Sequence, residues 1–199
     1  MYRKNLDMAA PAMPFVWLTA IASIYEFIVS YIFEYNASIW FQLYSFTVFI
    51  ALLYFFQRAI EFKTYHLSVG IMIGFIITYT ASFFFWNKND FLNSTAINNT
   101  YLTIVVIILS IIWLKNKFEK LESYYSFSKS DAFNLWDNEE FYLIVGLFVY
   151  YCTTIFLYLS SNIIFNSELY FFDYWLVNII ATLFLRLSLT LSTWKMRKV

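Results

Sequence analysis

The chain has 199 residues, of which 61% are apolar, 24% aromatic and only 13% charged, with a mean hydropathy of +0.62 and a formal net charge of zero. That balance lies outside the range of soluble globular domains and reads as an integral membrane protein. The length holds about six spans with short loops, and leaves no room for a kinase, a nucleotide-binding unit or another extramembrane domain.

Cysteine and histidine counts narrow the chemistry. A single cysteine, Cys152, excludes an internal disulfide and cannot by itself build a zinc or iron–sulfur site. A single histidine, His66, excludes a His-ligated haem pair within one chain. No metal, cofactor or nucleic-acid partner is expected. The abundance of Tyr, Phe, Ile, Asn and Lys, beside only 3 Gly and 2 Pro, suits an AT-rich bacterial genome.

Arg3 and Lys4 precede an apolar segment too long for a signal-peptide h-region, and no clear small-residue cleavage site follows it. The first segment is therefore expected to stay in the membrane as an anchor. Apolar runs predict an all-α polytopic bundle forming one transmembrane domain, with spans at about 14–33, 39–56, 67–86, 97–114, 140–160 and 174–194.

The first run carries Glu26, the only acid in the middle of any run. Thr19, Ser23, Glu26 and Ser30 recur there at the i, i+4, i+7, i+11 spacing of one helix face. In the second run Gln42 is the polar residue of interest. The third holds Gly70 and Gly74, continued by Thr78 and Ser82 as a ridge of small residues that admits close helix approach. Packing within the chain explains that ridge better than a dimer interface. Polar stretches at 87–90 and 93–100 read as outer loops. Asn36, Asn93 and Asn98 each open an N-x-S/T sequon on that side, a glycosylation acceptor only if the source is eukaryotic.

Residues 115–138 form the largest extramembrane piece. Leu114, Phe118, Leu121 and Tyr125 keep helical spacing with Lys and Glu between them, so the fourth span is expected to continue as a helix at or beyond the interface. This segment reads either as a docking surface for a cytoplasmic or membrane partner or as a charged connector. Asp137 and Glu140 fit a cap for the fifth span. Within that span Cys152, Thr153 and Thr154 read as packing or interhelical hydrogen-bonding residues.

The last run places Asn178, Thr182, Arg186 and Thr190 four residues apart on one slowly drifting stripe. An arginine near the bilayer centre costs at least ~2.5 kcal/mol, so it must face protein or water. Glu26 is its natural partner: helical rise places the two within roughly 8 Å along the membrane normal.

Orientation follows from the basic residues. Arg3, Lys4, Arg58, Lys63, Lys115, Lys117, Lys120, Lys129, Lys195, Arg197 and Lys198 fall on one side, and Lys88 alone falls in the opposite loops. The positive-inside rule then predicts six spans with both termini cytoplasmic. Trp40, Trp86, Trp113, Trp136, Trp175 and Trp194 lie near span ends, where headgroup-level rings are favoured.

Three readings of Glu26 and Arg186 compete. They line a cavity for a polar or anionic ligand, with Asn178 and Gln42 adding hydrogen bonds; or Glu26 titrates against Arg186 in a proton-coupled carrier; or the two form a packing latch between first and last helices. No hydrolase, P-loop, zincin or paired-acid motif occurs, so no catalytic residue is assigned. His66 reads as interfacial. Both prolines lie near the N-terminus, away from mid-span positions where carriers break their helices.

Three stretches resemble an uncharacterised family of small multi-pass membrane proteins of Bacteroidetes-type bacteria. They are Glu26 with IWFQLYSFTVFIALLYFF, then NEEFYLIVGLFVYYCTTIFLYLSSNII, and WLVNIIATLFLRLSLTLSTWK, together about half the chain. Members look like stand-alone membrane halves of sensors, which implies signalling by association. Such relatives carry one more N-terminal helix, so the chain is either trimmed at its start or a six-span variant. The expected function is a non-enzymatic sensory or partner-binding module or accessory subunit in the inner membrane. The competitor is a small carrier or channel, and a membrane enzyme acting on lipid is the third reading.

Overall fold

A computed structural model of the chain describes residues 10–32, 38–60, 65–85, 91–127, 139–159 and 168–196, and these residues contain helices and turns with no strand. Six α-helices follow in order: α1 (Met13–Glu26), continued by a π-helical turn over Phe27–Ile32; α2 (Ser38–Ala59); α3 (Tyr65–Ser82), ending in a 3₁₀ turn at Phe83–Phe85; α4 (Phe91–Phe127); α5 (Glu139–Leu159); and α6 (Glu168–Lys195). The protein is an all-α bundle. Proline in the first turn starts α1, where the missing N–H has no intrahelical partner to lose.

Three helical stretches, Trp40–Ala59, Ala96–Lys120 and Leu176–Lys195, are long and apolar enough to cross a membrane. Met13–Val29, His66–Ser82 and Glu140–Ile155 are shorter apolar helices. The surface supports the same assignment. Trp17, Ile21 and Ile24 on α1, Ile73, Ile76 and Ile77 on α3, and Leu183, Leu187 and Leu191 on α6 are all exposed. Apolar faces of that extent mark surfaces that meet a membrane or another protein.

Central to the packing is α4, which contacts α2, α3 and α5; α6 packs on α5, and α1 leans on α2. Phe49 of α2 stacks on Phe75 of α3 with ring centroids 3.7 Å apart and planes 6° apart, and both are fully buried. Close approach elsewhere depends on two glycines. A Cβ at Gly74 would meet the Tyr101 hydroxyl, which lies across α3 and donates to the Ile71 carbonyl at 2.9 Å. A Cβ at Gly146 would meet Cβ and Oγ of Ser188, so α5 and α6 approach there at backbone distance. Gly70 has nothing within 4 Å and is exposed. Of the small-residue ridge, only its lower part therefore packs within the chain.

The fourth helix differs from its sequence-based limits of 97–114. It begins at Phe91 and runs unbroken for 37 residues to Phe127, about 55 Å against a hydrocarbon core of about 30 Å. Residues 93–100, read as outer loop, lie in its first turns, while residues 115–127 prolong it as the apolar spacing anticipates. The sequon at Asn98 is correspondingly not a surface site, since Asn98 is fully buried. Asn36, Asp137, Trp86 and Trp136 lie outside the described residues.

Trp113 also departs from its expected place at the headgroups. It is 1% exposed, because α4 continues past it and Lys117 lies over its ring at 5.2 Å. Lys117 in turn pairs with Glu140 at 3.9 Å and ties α4 to the start of α5. Thr153 and Thr154 donate to the Val149 and Tyr150 carbonyls of their own helix, so both hydroxyl protons are spent within α5.

Candidate functional site: a polar seam between the first and last helices

The polar stripe of α1 faces the seam with α6. Ser23 donates its proton to the Thr19 carbonyl at 2.9 Å, which leaves an oxygen lone pair free to accept. Arg186 Nη2 donates to that oxygen at 3.2 Å. On α6 the Thr190 hydroxyl donates to the Arg186 carbonyl at 2.8 Å. Asn178 and Thr182 are half-buried while Arg186 and Thr190 are exposed, so the stripe drifts outward along the helix. The fully buried line of α6 is a different one, carried by Ala181, Leu185, Ser188 and Ser192.

Glu26 ends the regular part of α1 one turn beyond Ser23 and is half-buried. The next N–H, that of Phe27, points at both the Ser23 and the Ile24 carbonyls, and the backbone then widens into the π turn. Such turns are rare and concentrate at functional sites. Arg186 lies within electrostatic reach of Glu26. No direct ion pair joins them among the described residues; the guanidinium takes a neutral hydroxyl instead.

Two tyrosines complete the neighbourhood. Tyr44 of α2 feels the charges of Glu26 and Arg186 and the hydroxyl of Tyr150 on α5. Tyr151 is buried beside Tyr44 and Tyr150. Trp40 stacks between Tyr25 and Tyr44, at centroid distances of 4.1 and 6.1 Å, and so ties α1 to α2. Residues from four helices therefore converge at the seam. Tyrosines so common in the chain read as packing, and nothing local to Tyr44 or Tyr150 singles them out.

The other two residues expected here lie elsewhere. Asn178 stands two helical turns before Arg186, about 12 Å along α6. Gln42 is 3% exposed and belongs to a second network between α2, α3 and α4. There Asn98 Nδ2 donates to Gln42 Oε1 at 2.8 Å and to Ser82 Oγ at 3.0 Å. Ser45 donates to Asn99 Oδ1 at 3.2 Å alongside. Sequence separations of 56 and 16 residues hide these pairs from any local pattern.

Chemically, the seam offers a guanidinium with a neutral acceptor in hand and a carboxylate within reach. That suits partner exchange or anion capture, and it contains no nucleophile–base pair. Among the described residues no cluster of His, Cys, Asp and Glu could hold a metal ion. His66 is exposed near the start of α3. Comparison with protein-family models, with curated proteins and with solved structures finds no match to the chain.

Proposed function

We propose that this chain is a non-enzymatic, six-span protein of a bacterial inner membrane, with both termini cytoplasmic, acting as a sensory or partner-binding module or accessory subunit. The distribution of basic residues supports the topology. One observation carries the function: α4 is a single helix from the buried Asn98 to Phe127, well past the length a bilayer needs. A rigid element of this kind transmits a shift at its inner end to a surface outside the membrane.

On that extension Phe118 is 56% exposed among Lys115, Glu119 and Lys120. Aromatic side chains such as this are enriched at the cores of protein interfaces, with polar residues at their rims. At the α1–α6 seam the Arg186 guanidinium rests on Ser23 with Glu26 within electrostatic reach, and a move from one to the other would supply the shift.

A photoreactive amino acid at position 118, in membranes of the source cell, is expected to give one protein adduct of defined mass. The same probe at Ile77, on the apolar outer face of α3, is expected to give lipid adducts alone. Lipid adducts at both positions would leave the other reading, a small carrier or channel built on Glu26 and Arg186. That reading is favoured by the π turn beside Glu26, since irregular helix at membrane depth lines ligand and ion sites.

A further inference from the structure

Asn99, Thr103, Ser110 and Lys117 recur along α4 at i, i+4, i+11 and i+18, which is one helix face. Both ends of this row are engaged, Asn99 by Ser45 of α2 and Lys117 by Glu140 of α5. Between them Thr103 and Ser110 are fully buried, and neither hydroxyl has a partner among the described residues. This departs from the habit of the chain. Thr19, Thr78, Thr100, Thr154 and Thr190 all donate to a carbonyl three or four residues back. Thr103 and Ser110 sit in regular helix with the same outlet on offer, and turn away from it.

Asn98 adds a third group, and counting protons fixes its orientation. Ser82 commits its proton to the Tyr79 carbonyl at 2.7 Å, so its oxygen accepts, and Asn98 must present its amide nitrogen. The Asn98 oxygen is then left buried and unpartnered. Buried hydroxyls and amides away from water require a hydrogen-bond partner, and internal water molecules fill that role where several polar groups converge.

We propose that the interior of the bundle binds a file of water molecules along α4, from Asn98 and Asn99 past Thr103 to Ser110. From Asn99 to Ser110 the row covers about 16 Å of helix, roughly half the thickness of the hydrocarbon core. The file starts at the amide network of Asn98 and Gln42, and it is independent of the α1–α6 seam.

The test uses the full chain in lipid nanodiscs with methyl-labelled threonine, reading magnetisation transfer from water. Thr103 is expected to show a water cross-peak. Thr154, equally buried but bonded to the Tyr150 carbonyl, is expected to show none. Thr103→Val, which keeps the shape and removes the hydroxyl, is expected to lower Tm by roughly 2–4 °C. Absence of the Thr103 cross-peak overturns the proposal. So does a Thr103→Val variant with raised Tm, the outcome of deleting a dry, unpartnered hydroxyl.

Discussion

Gly146→Leu is expected to abolish accumulation of folded protein in the membrane, and Gly146→Ala to lower Tm by several degrees. The seat of Gly146 is formed by Cβ of Ser188, an atom fixed by the α6 backbone, with Oγ of Ser188 and Leu185 beside it. No rotamer change can clear that Cβ, so an added side chain must push α5 and α6 apart along their most extensive interface. Overpacking of this kind costs about 1–3 kcal/mol, and the better helix propensity of alanine offsets about 1 kcal/mol of it. A leucine cannot be accommodated by that margin. Gly74→Ala is expected to be milder, because the obstructing atom is the far end of the Tyr101 side chain. Gly70→Ala should leave Tm unchanged or slightly raised, since nothing lies within 4 Å of it. Membrane yield of Gly146→Leu and thermal unfolding of the three alanine variants in nanodiscs check the order. A Gly146→Ala variant as stable as Gly70→Ala would mean that α5 and α6 are not so closely packed.

Charge exchange at the seam should have the second-largest effect. Arg186→Glu places two carboxylates within reach of one another, and Glu26→Arg places two guanidinium groups there, in surroundings of low dielectric constant. Each single exchange is expected to lower both yield and Tm. The double exchange should recover most of the loss, with a coupling of about 0.5–3 kcal/mol for groups sharing one network. Ser23→Ala removes only the hydroxyl that Arg186 holds, and a loss of about 1 kcal/mol is expected. If the double exchange is as unstable as the two singles added together, Glu26 and Arg186 do not act on one another.

The parts of this arrangement that a linear reading reached are those with few alternatives. An arginine and a glutamate inside apolar runs must find protein or water, and the two lie within electrostatic reach of one another. Ser23, the residue that Arg186 touches, lies on the stripe that the i, i+4, i+7 spacing marks out. The extension of α4 was legible because Leu114, Phe118, Leu121 and Tyr125 keep one period beyond the apolar run. Other features depend on what meets across the bundle. Asn98 sits in a polar stretch that looks like loop, yet it is buried because Gln42 and Ser82 arrive from other helices to bond it. Trp113 carries the signature of a span end and becomes core once α4 continues past it and α5 comes alongside. Gly146 is one glycine in an apolar run, and only the position of Ser188 gives it meaning. The π turn after Glu26 has no glycine or proline to announce it.

The most direct test of a partner-binding module is native mass spectrometry of the chain extracted gently from its own membrane, beside a Phe118→Asp variant. The expected result is a stoichiometric complex with one protein partner, which the variant loses while keeping its own fold and Tm. A chain that emerges without a protein partner, and holds a small molecule lost on Glu26→Gln, would contradict that account. It would make the α1–α6 seam a ligand site in a carrier or channel.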